Sequence, residues 1–364
     1  IQFHDRYGIM EFGPITGHEK ITVIYGTETD VEKRFDIFKM GNITASASSN
    51  TLGRDNYLEI LFVDEMFYKL SNSIYSVSWK NTKGSDIVKD ISTKALNVSD
   101  FEKFEESNEK FNTFYMPYWT PKQAIDWITR RISGNNSGNS SYIFFNNSLG
   151  SNFVTLEQLL SQTSLMTVNN NDNGIYEFRN ENSTQINKIL AFRLSSIDNH
   201  SKRELKGGYR LGFDFSRKKL IKRFFTYNES VSKFTLLGRK SLFEDISQEN
   251  SDIINYGEDS EGSIDNIYYN EWLKRYSHQQ TLNIIVQGHE ERYAGGLIDI
   301  KWPSTKEDEM YNKNFTGKYL IKSIIHQFSS GTPAYRQKLI LIKNAYEDSD
   351  NTELVNASKK NLGD

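Results

Sequence analysis

One ordered pattern occurs near both ends of the chain, and it constrains the fold more than anything else in the sequence. Ile21–Tyr25 is a run of β-branched and aromatic residues, the kind that strands favour. A charged loop follows at Thr27–Arg34, then a strand from Phe35, a Ser/Asn/Gly-rich turn over Ser46–Arg54, and a strand from Tyr57 to Val63. In that last strand Leu58, Ile60 and Phe62 alternate with Glu59 and Leu61, the period-two pattern of a sheet with one buried face. The same order returns later: strand Leu297–Lys301, charged loop Ser304–Glu309, strand Lys318–Phe328, turn Ser329–Pro333, strand Tyr335–Lys343. A Gly-His-Glu triplet precedes each copy, at Gly17-His18-Glu19 and Gly288-His289-Glu290, though at different distances from the first strand. Five features in one order, found twice, point to a duplicated β-module.

The chain between the copies has a different texture. Ile74–Trp79 is another strand, and Ser85 is placed to cap a short helix carrying Ile87, Val88 and Ile91 on one side. Thr120-Pro121-Lys122-Gln123 has the residues of a helix start: Thr as cap, Pro at the first helical position and Gln at the third. Ala124, Ile125, Trp127, Ile128 and Ile132 then form an apolar stripe at helical spacing, read as core packing. The polar run 133–141 ends that helix. A hairpin follows, Tyr142–Phe145 to Phe153–Leu156, and then a short amphipathic piece, Glu157-Gln158-Leu159-Leu160. Strands are expected near Lys188–Arg193 and Tyr209–Phe215, and a helix over Ile267–His278 with Trp272 and Tyr276 on one face. The stretch 241–270 holds eight acidic residues and no basic one, and reads as an insertion or mobile loop. The tail from Asp348 is polar and expected to fray. The fold class is therefore mainly β with α+β insertions: two similar antiparallel β-barrel-like domains, with a helix-and-hairpin domain between them.

Composition narrows the function. A chain of 364 residues can bury two or more cores. Aromatic residues, at 13%, are abundant where total hydrophobics are only 37%, so Tyr and Phe supply much of any core or interface. A net charge of −3 gives no global basic field for gripping nucleic acid. No run of eighteen apolar residues is present, so no transmembrane helix is expected. Cysteine is absent, which removes disulfides, thiolate metal sites and Cys nucleophiles together. The first residues, Ile1-Gln2-Phe3-His4, already have the pattern of a strand interior and lack an initiator Met. A preceding segment is expected, and it leaves a targeting signal open.

Catalytic and metal motifs are lacking. The P-loop, the Rossmann glycine fingerprint, His-Glu-x-x-His and Gly-x-Ser-x-Gly do not occur. The six His stand at 4, 18, 200, 278, 289 and 326, none four apart on one helix face. His289-Glu290-Glu291 has metal-ligand chemistry, but a solvated loop rim is the favoured reading. His326 alternates with Ile324 and Phe328, as a core or interface histidine would. The acidic stretch lacks the order of a calcium loop. Among 47 acidic residues some pair will meet glycosidase spacing, so that chemistry has no selective support. Arg217–Arg223 is the one basic cluster, followed by Phe224, Phe225 and Tyr227. It is either a phosphate-tracking groove with stacking aromatics or, as favoured, a strand with a charged face meeting an acidic neighbour. No catalytic, cofactor-binding or metal-binding residue is assigned, and no cofactor is expected.

Several segments resemble the baseplate central hub protein of contractile-tailed phages. Thr120–Ile132, followed by Tyr142-Ile143-Phe144-Phe145, a polar turn and Phe153–Leu160, resembles that family's helix and hairpin after the first tube domain. Lys318–Ile342 resembles its last hairpin, and Ile1–Gly26 its N-terminal strand pair. The resemblance implies a first tube domain over 1–117 and an intervening domain over 118–188. A second, split tube domain covers 189–228 and 279–348, with an acidic insertion and helix over 229–278 and a polar tail over 349–364. It implies a non-enzymatic homotrimer whose duplicated module presents six positions to a sixfold tail tube, while the trimer matches a threefold spike. The implied partners are the tail tube protein, the central spike protein and neighbouring baseplate proteins. DNA is expected to pass through the lumen without sequence-specific binding. The implied location is the virion tail baseplate, assembled in the host cytoplasm. A hub of another contractile injection system, a β-rich carbohydrate- or receptor-binding tail protein, and a glycoside hydrolase or peptidoglycan enzyme stand as alternatives.

Overall fold

The structure is a computed structural model. It describes residues 1–5, 13, 19–26, 30–45, 56–165, 175–177, 188–195, 207–214, 218–238, 253–257, 261–302, 304, 311–312, 314–329 and 335–345. Two compact units divide the chain. One comprises Ile1–Ser78, Asp90–Ser99 and Tyr115–Ala124; the other comprises Trp79–Lys89, Asp100–Phe114 and Ile125–Asp364.

The first unit holds a four-stranded antiparallel sheet of β1 (Gln2–Asp5), β2 (Lys20–Tyr25), β3 (Val31–Ala45) and β4 (Asn56–Val63) in the order β1-β4-β3-β2. The strand after the charged loop begins at Val31, not Phe35, because Val31–Phe35 pair with Tyr25–Ile21. Glu32 and Arg34 are exposed on one face and pair with each other at 3.2 Å. Helix α1 (Glu65–Asn72) was not foreseen. Its N-cap is Asp64, whose carboxylate accepts from the Met66 and Phe67 amides.

Four further elements, β5 (Tyr75–Lys83), α2 (Gly84–Leu96), β7 (Lys110–Trp119) and α3 (Pro121–Thr129), each run across the boundary between the units, and β6 (Phe101–Phe104) precedes β7. Ser85 does not cap α2. It lies inside the helix, and its amide donates to Ser107 Oγ instead. The expected apolar residues Ile87, Val88 and Ile91 are buried, as are Ala95 and Leu96. The α3 start is a reciprocal capping box: the Gln123 amide donates to Thr120 Oγ1 at 3.2 Å, and the Thr120 amide donates to Gln123 Oε1 at 2.9 Å. Ala124, Ile125, Ile128 and Ile132 are all buried.

In the second unit the hairpin β8 (Tyr142–Asn146) and β9 (Ser151–Thr155) leads into α4 (Leu156–Leu160). A six-stranded sheet combines β10 (Ile175–Glu177), β11 (Ile189–Ser195), β15 (Gln280–Gln287), β16 (Leu297–Lys301), β17 (Gly317–Phe328) and β18 (Tyr335–Lys343), ordered β10-β16-β17-β18-β15-β11. A three-stranded sheet, β13-β12-β14, is built from β12 (Gly207–Asp214), β13 (Lys219–Thr226) and β14 (Ile253–Gly257). Helices α5 (Tyr227–Ser232) and α6 (Glu261–Tyr276) complete the unit. The acidic stretch is not simply a loop. Residues 253–257 are β14, and α6 starts at Glu261 because Ile264, Ile267 and Tyr268 supply buried positions three and four apart. The expected turns at 46–54 and 330–333, the loop 305–309, Gly17-His18 and the tail from Asp348 lie outside the described residues.

The two ends of the chain share their strand order. Each has a meander, β2-β3-β4 or β16-β17-β18, with the strand that precedes it returning beside its last member, β1 beside β4 and β15 beside β18. The register agrees as well. Asp36 pairs with Lys20 on one side and Val63 on the other; Leu320 pairs with Leu297 and Ile342. One residue further along, both central strands shift register, between Ile37 and Lys39 and between Ile321 and Ser323.

Two apolar clusters organise the second unit. One joins Leu297, Leu320 and Ile342 to α4, α5 and the Tyr268, Trp272 and Tyr276 side of α6. The buried members of the other, among them Leu282, Ile284, Tyr319, Ile321 and Leu339, all come from the six-stranded sheet, which curls over its own face.

Candidate assembly surfaces and buried polar nodes

The His289-Glu290-Glu291 segment is not a solvated rim. His289 is 3% exposed and Glu290 7% exposed, in the connection between β15 and β16. The His289 carbonyl accepts from Gln337 Nε2 at 2.7 Å, and its Nδ1 accepts from the Glu291 amide at 3.3 Å. Arg292 is buried and donates through one nitrogen to the Gln287 carbonyl and to Gln337 Oε1. Gln337 donates in turn to the Tyr335 hydroxyl, which lies 2.8 Å from His326 Nδ1. Burial pushes the His326 pKa down, which favours the neutral ring at this contact. The Tyr335 ring lies flat against Gly288, where a β-carbon would stand 2.2 Å from the ring. This network seats the loop on β18. Among the described residues no group of three or more His, Cys, Asp or Glu is placed to hold a metal ion.

Two carboxylates clamp the 131–155 region. Glu105 is 1% exposed. Its Oε1 accepts from the Ser137 amide and hydroxyl, and its Oε2 from the Thr155 amide and hydroxyl, at 2.6–3.2 Å. Glu109 accepts from the Ser133 amide and hydroxyl and from Asn266 on α6. Asn266 also donates to the Arg131 carbonyl, and Asn270 to the Thr129 carbonyl, so α6 is tied to the end of α3 by side-chain amides. Burial, with Glu105 second, raises the pKa of Tyr142, which donates to the Glu105 and Glu106 carbonyls. With four donors on Glu105 and three on Glu109, these carboxylates do structural work, unlike the free acid and base a glycosidase needs.

The basic cluster is largely β13. Arg223 forks onto Asp265 of α6 at 3.0 and 2.6 Å, the acidic neighbour expected of the structural reading. Lys222 holds its ammonium 3.9 Å above the Tyr209 ring. Arg217 lies outside the described residues. Sequence reasoning missed β11, the edge strand of the six-stranded sheet among the described residues, where Leu190, Phe192 and Leu194 are exposed and Phe192 meets Trp302 edge-on at 4.7 Å. The signal was present as apolar residues alternating along an edge with a single charge. Among the described residues no helix is long and apolar enough to cross a membrane.

The fold is similar to that of solved tail proteins. The 43 kDa tail protein of prophage MuSo2 from Shewanella oneidensis superposes with a TM-score of 0.56 over 94% of this chain and 88% of its own, at 11% identity. A tail protein from Neisseria meningitidis MC58 does so with a TM-score of 0.54 over 88% and 82%, also at 11% identity. No family model matches the chain, and no curated protein matches it in sequence.

Proposed function

We propose that the chain is the structural hub of a contractile tail baseplate, a homotrimer without enzymatic activity. The observation that carries this reading is the shared strand order and register shift of the two sheets, in a chain with a tail-protein fold. Three chains with two modules each provide six similar positions around one axis. Such a ring fits a sixfold tube on one side and a threefold spike on the other. In this reading the tube domains span 1–117 and the split pair 189–228 with 279–348, around the intervening 118–188 and the insertion 229–278. DNA passes through the channel without sequence-specific contact, and the near-neutral net charge of −3 suits passage rather than capture. The tube, the spike and neighbouring baseplate proteins are its partners.

Mass photometry and a threefold-averaged reconstruction of the purified chain test it. The expected result is a trimer in which a rotation of about 60° superposes the four-stranded sheet β2-β3-β4-β1 on the β16-β17-β18-β15 part of the six-stranded sheet. A stable monomer at all concentrations would sink the proposal. A peptidoglycan zymogram should stay clear of lysis bands; a band at the chain's mass would refute the non-enzymatic part.

A further inference from the structure

Helices α4, α5 and α6 pack on the outer face of the six-stranded sheet at the row Leu297–Leu320–Ile342. Further rows continue across that face: Arg193–Asn283–Ile340–Ser323, then Ala191–Ile285–Lys338–Ile325, then Gln287–Arg336–Gln327. Their neighbours along the strands, Leu282, Ile284, Ile321, Ile324 and Leu339, belong to the inner cluster or pack on it, so alternation places these rows outside. Lys322 is the extra residue of the β17 register shift and is exposed beside Ser323. Arg193 and Arg336 are exposed, and Lys338 is half-buried.

Charge selects the occupant. These rows, with Lys322, hold Arg193, Lys322, Arg336 and Lys338 and no carboxylate. The other polar side chains, Asn283, Gln287, Ser323 and Gln327, all carry a donor. Such a face fits a phosphate backbone, whose oxygens only accept. No aromatic residue stands in these rows, whereas protein interfaces are enriched in aromatics and depleted in Lys. The positive potential reaches the end of α6, where burial and then the charge of Lys322 push the His278 pKa down. The first sheet lacks this character. There Glu59, four residues before Val63, holds the place of Lys338, four before Ile342, and Gln2 donates to it at 3.1 Å. We propose that the outer face of β11-β15-β18-β17 contacts the phosphate backbone of duplex DNA through Arg193, Lys322, Arg336 and Lys338, without reading sequence. This names the surface at which the proposed hub meets its DNA, and it rests on that reading for its place in the tail. Only one of the two modules is so charged, so the contact is weak and salt-sensitive, as passage requires.

The test is fluorescence anisotropy of a labelled, mixed-sequence DNA duplex titrated with the full chain at several salt concentrations, with mass photometry in parallel. Wild type should bind at low salt, and log K should fall against log salt with a slope of about −3 to −4 for the proposed phosphate contacts. Lys322→Gln combined with Lys338→Gln should weaken binding at least roughly tenfold and flatten the slope by about 2, with circular dichroism unchanged. Arg193→Gln should act in the same direction from its own strand. Lys122→Gln, exposed on α3, should change neither. A wild type that binds no duplex at low salt, or a double variant that binds as wild type does, overturns this inference and leaves the hub reading standing. A double variant that keeps DNA binding but loses its trimer assigns the face to protein contact and overturns it too. A monomeric wild type with the expected slope and losses upholds this inference and removes the hub reading.

Discussion

Glu105 shows how one buried residue organises the intervening region. Its carboxylate gathers two amides and two hydroxyls from two separate segments, at Ser137 and Thr155. Gly134 stands against it because a β-carbon there would lie 2.2 Å from Oε1. Glu105→Ala leaves the two buried Thr155 donors unpaired, at about 1–3 kcal/mol for each unsatisfied group, so a loss of about 2–6 kcal/mol is expected in denaturant unfolding. Glu105→Gln keeps an acceptor oxygen and should cost clearly less. Equal losses for the two would mean that volume, not hydrogen bonding, holds the node. None of this was legible in the sequence. Glu105 sits in an ordinary polar stretch, and its donors come from residues 32 and 50 positions away. The same holds for His289, whose burial depends on Gln337 of a distant strand.

At the scale of elements, local chemistry was readable where it was self-contained. Thr120-Pro121-Lys122-Gln123 closes its capping box within four residues, so the sequence alone locates the helix start. Thr120→Ala should cost about 1 kcal/mol. Because Thr120 and Gln123 cap each other, the double substitution with Gln123→Ala should cost less than the sum of the singles, a coupling that a double-mutant cycle in urea detects. Additive losses would show that the two caps act independently. Elements whose ends depend on distant partners were read less well. The α2 start is fixed by Ser107 rather than by Ser85 itself. Helix α1 follows directly on the apolar run of β4, and only Asp64 and Glu65 mark the change. The charged start of β3 has loop composition but strand pairing, because β2 supplies its partners.

For the whole molecule, the duplicated topology explains both why the repeat was visible and why its sequence identity is faint. The row Lys20–Asp36–Val63 in the first sheet occupies the place of Leu297–Leu320–Ile342 in the second. Surroundings, not topology, set the residue types. In the second unit the row lies under α4, α5 and α6, and its three residues are 0–4% exposed. In the first, Lys20 stays exposed and pairs with Asp36 at 3.5 Å and with Glu65 at 3.9 Å. Alternation and turn composition survive this difference; side-chain identity does not. The same position in the two sheets should therefore respond to truncation by very different amounts. Leu320→Ala opens a cavity in a packed cluster and should cost about 2–5 kcal/mol. Asp36→Ala removes a half-exposed ion pair and should stay within about 1 kcal/mol. Equilibrium unfolding of the full chain, followed by Trp fluorescence and circular dichroism together, reads both losses. If Asp36→Ala costs as much as Leu320→Ala, burial is not what separates the rows, and the loss of identity between the modules needs another cause.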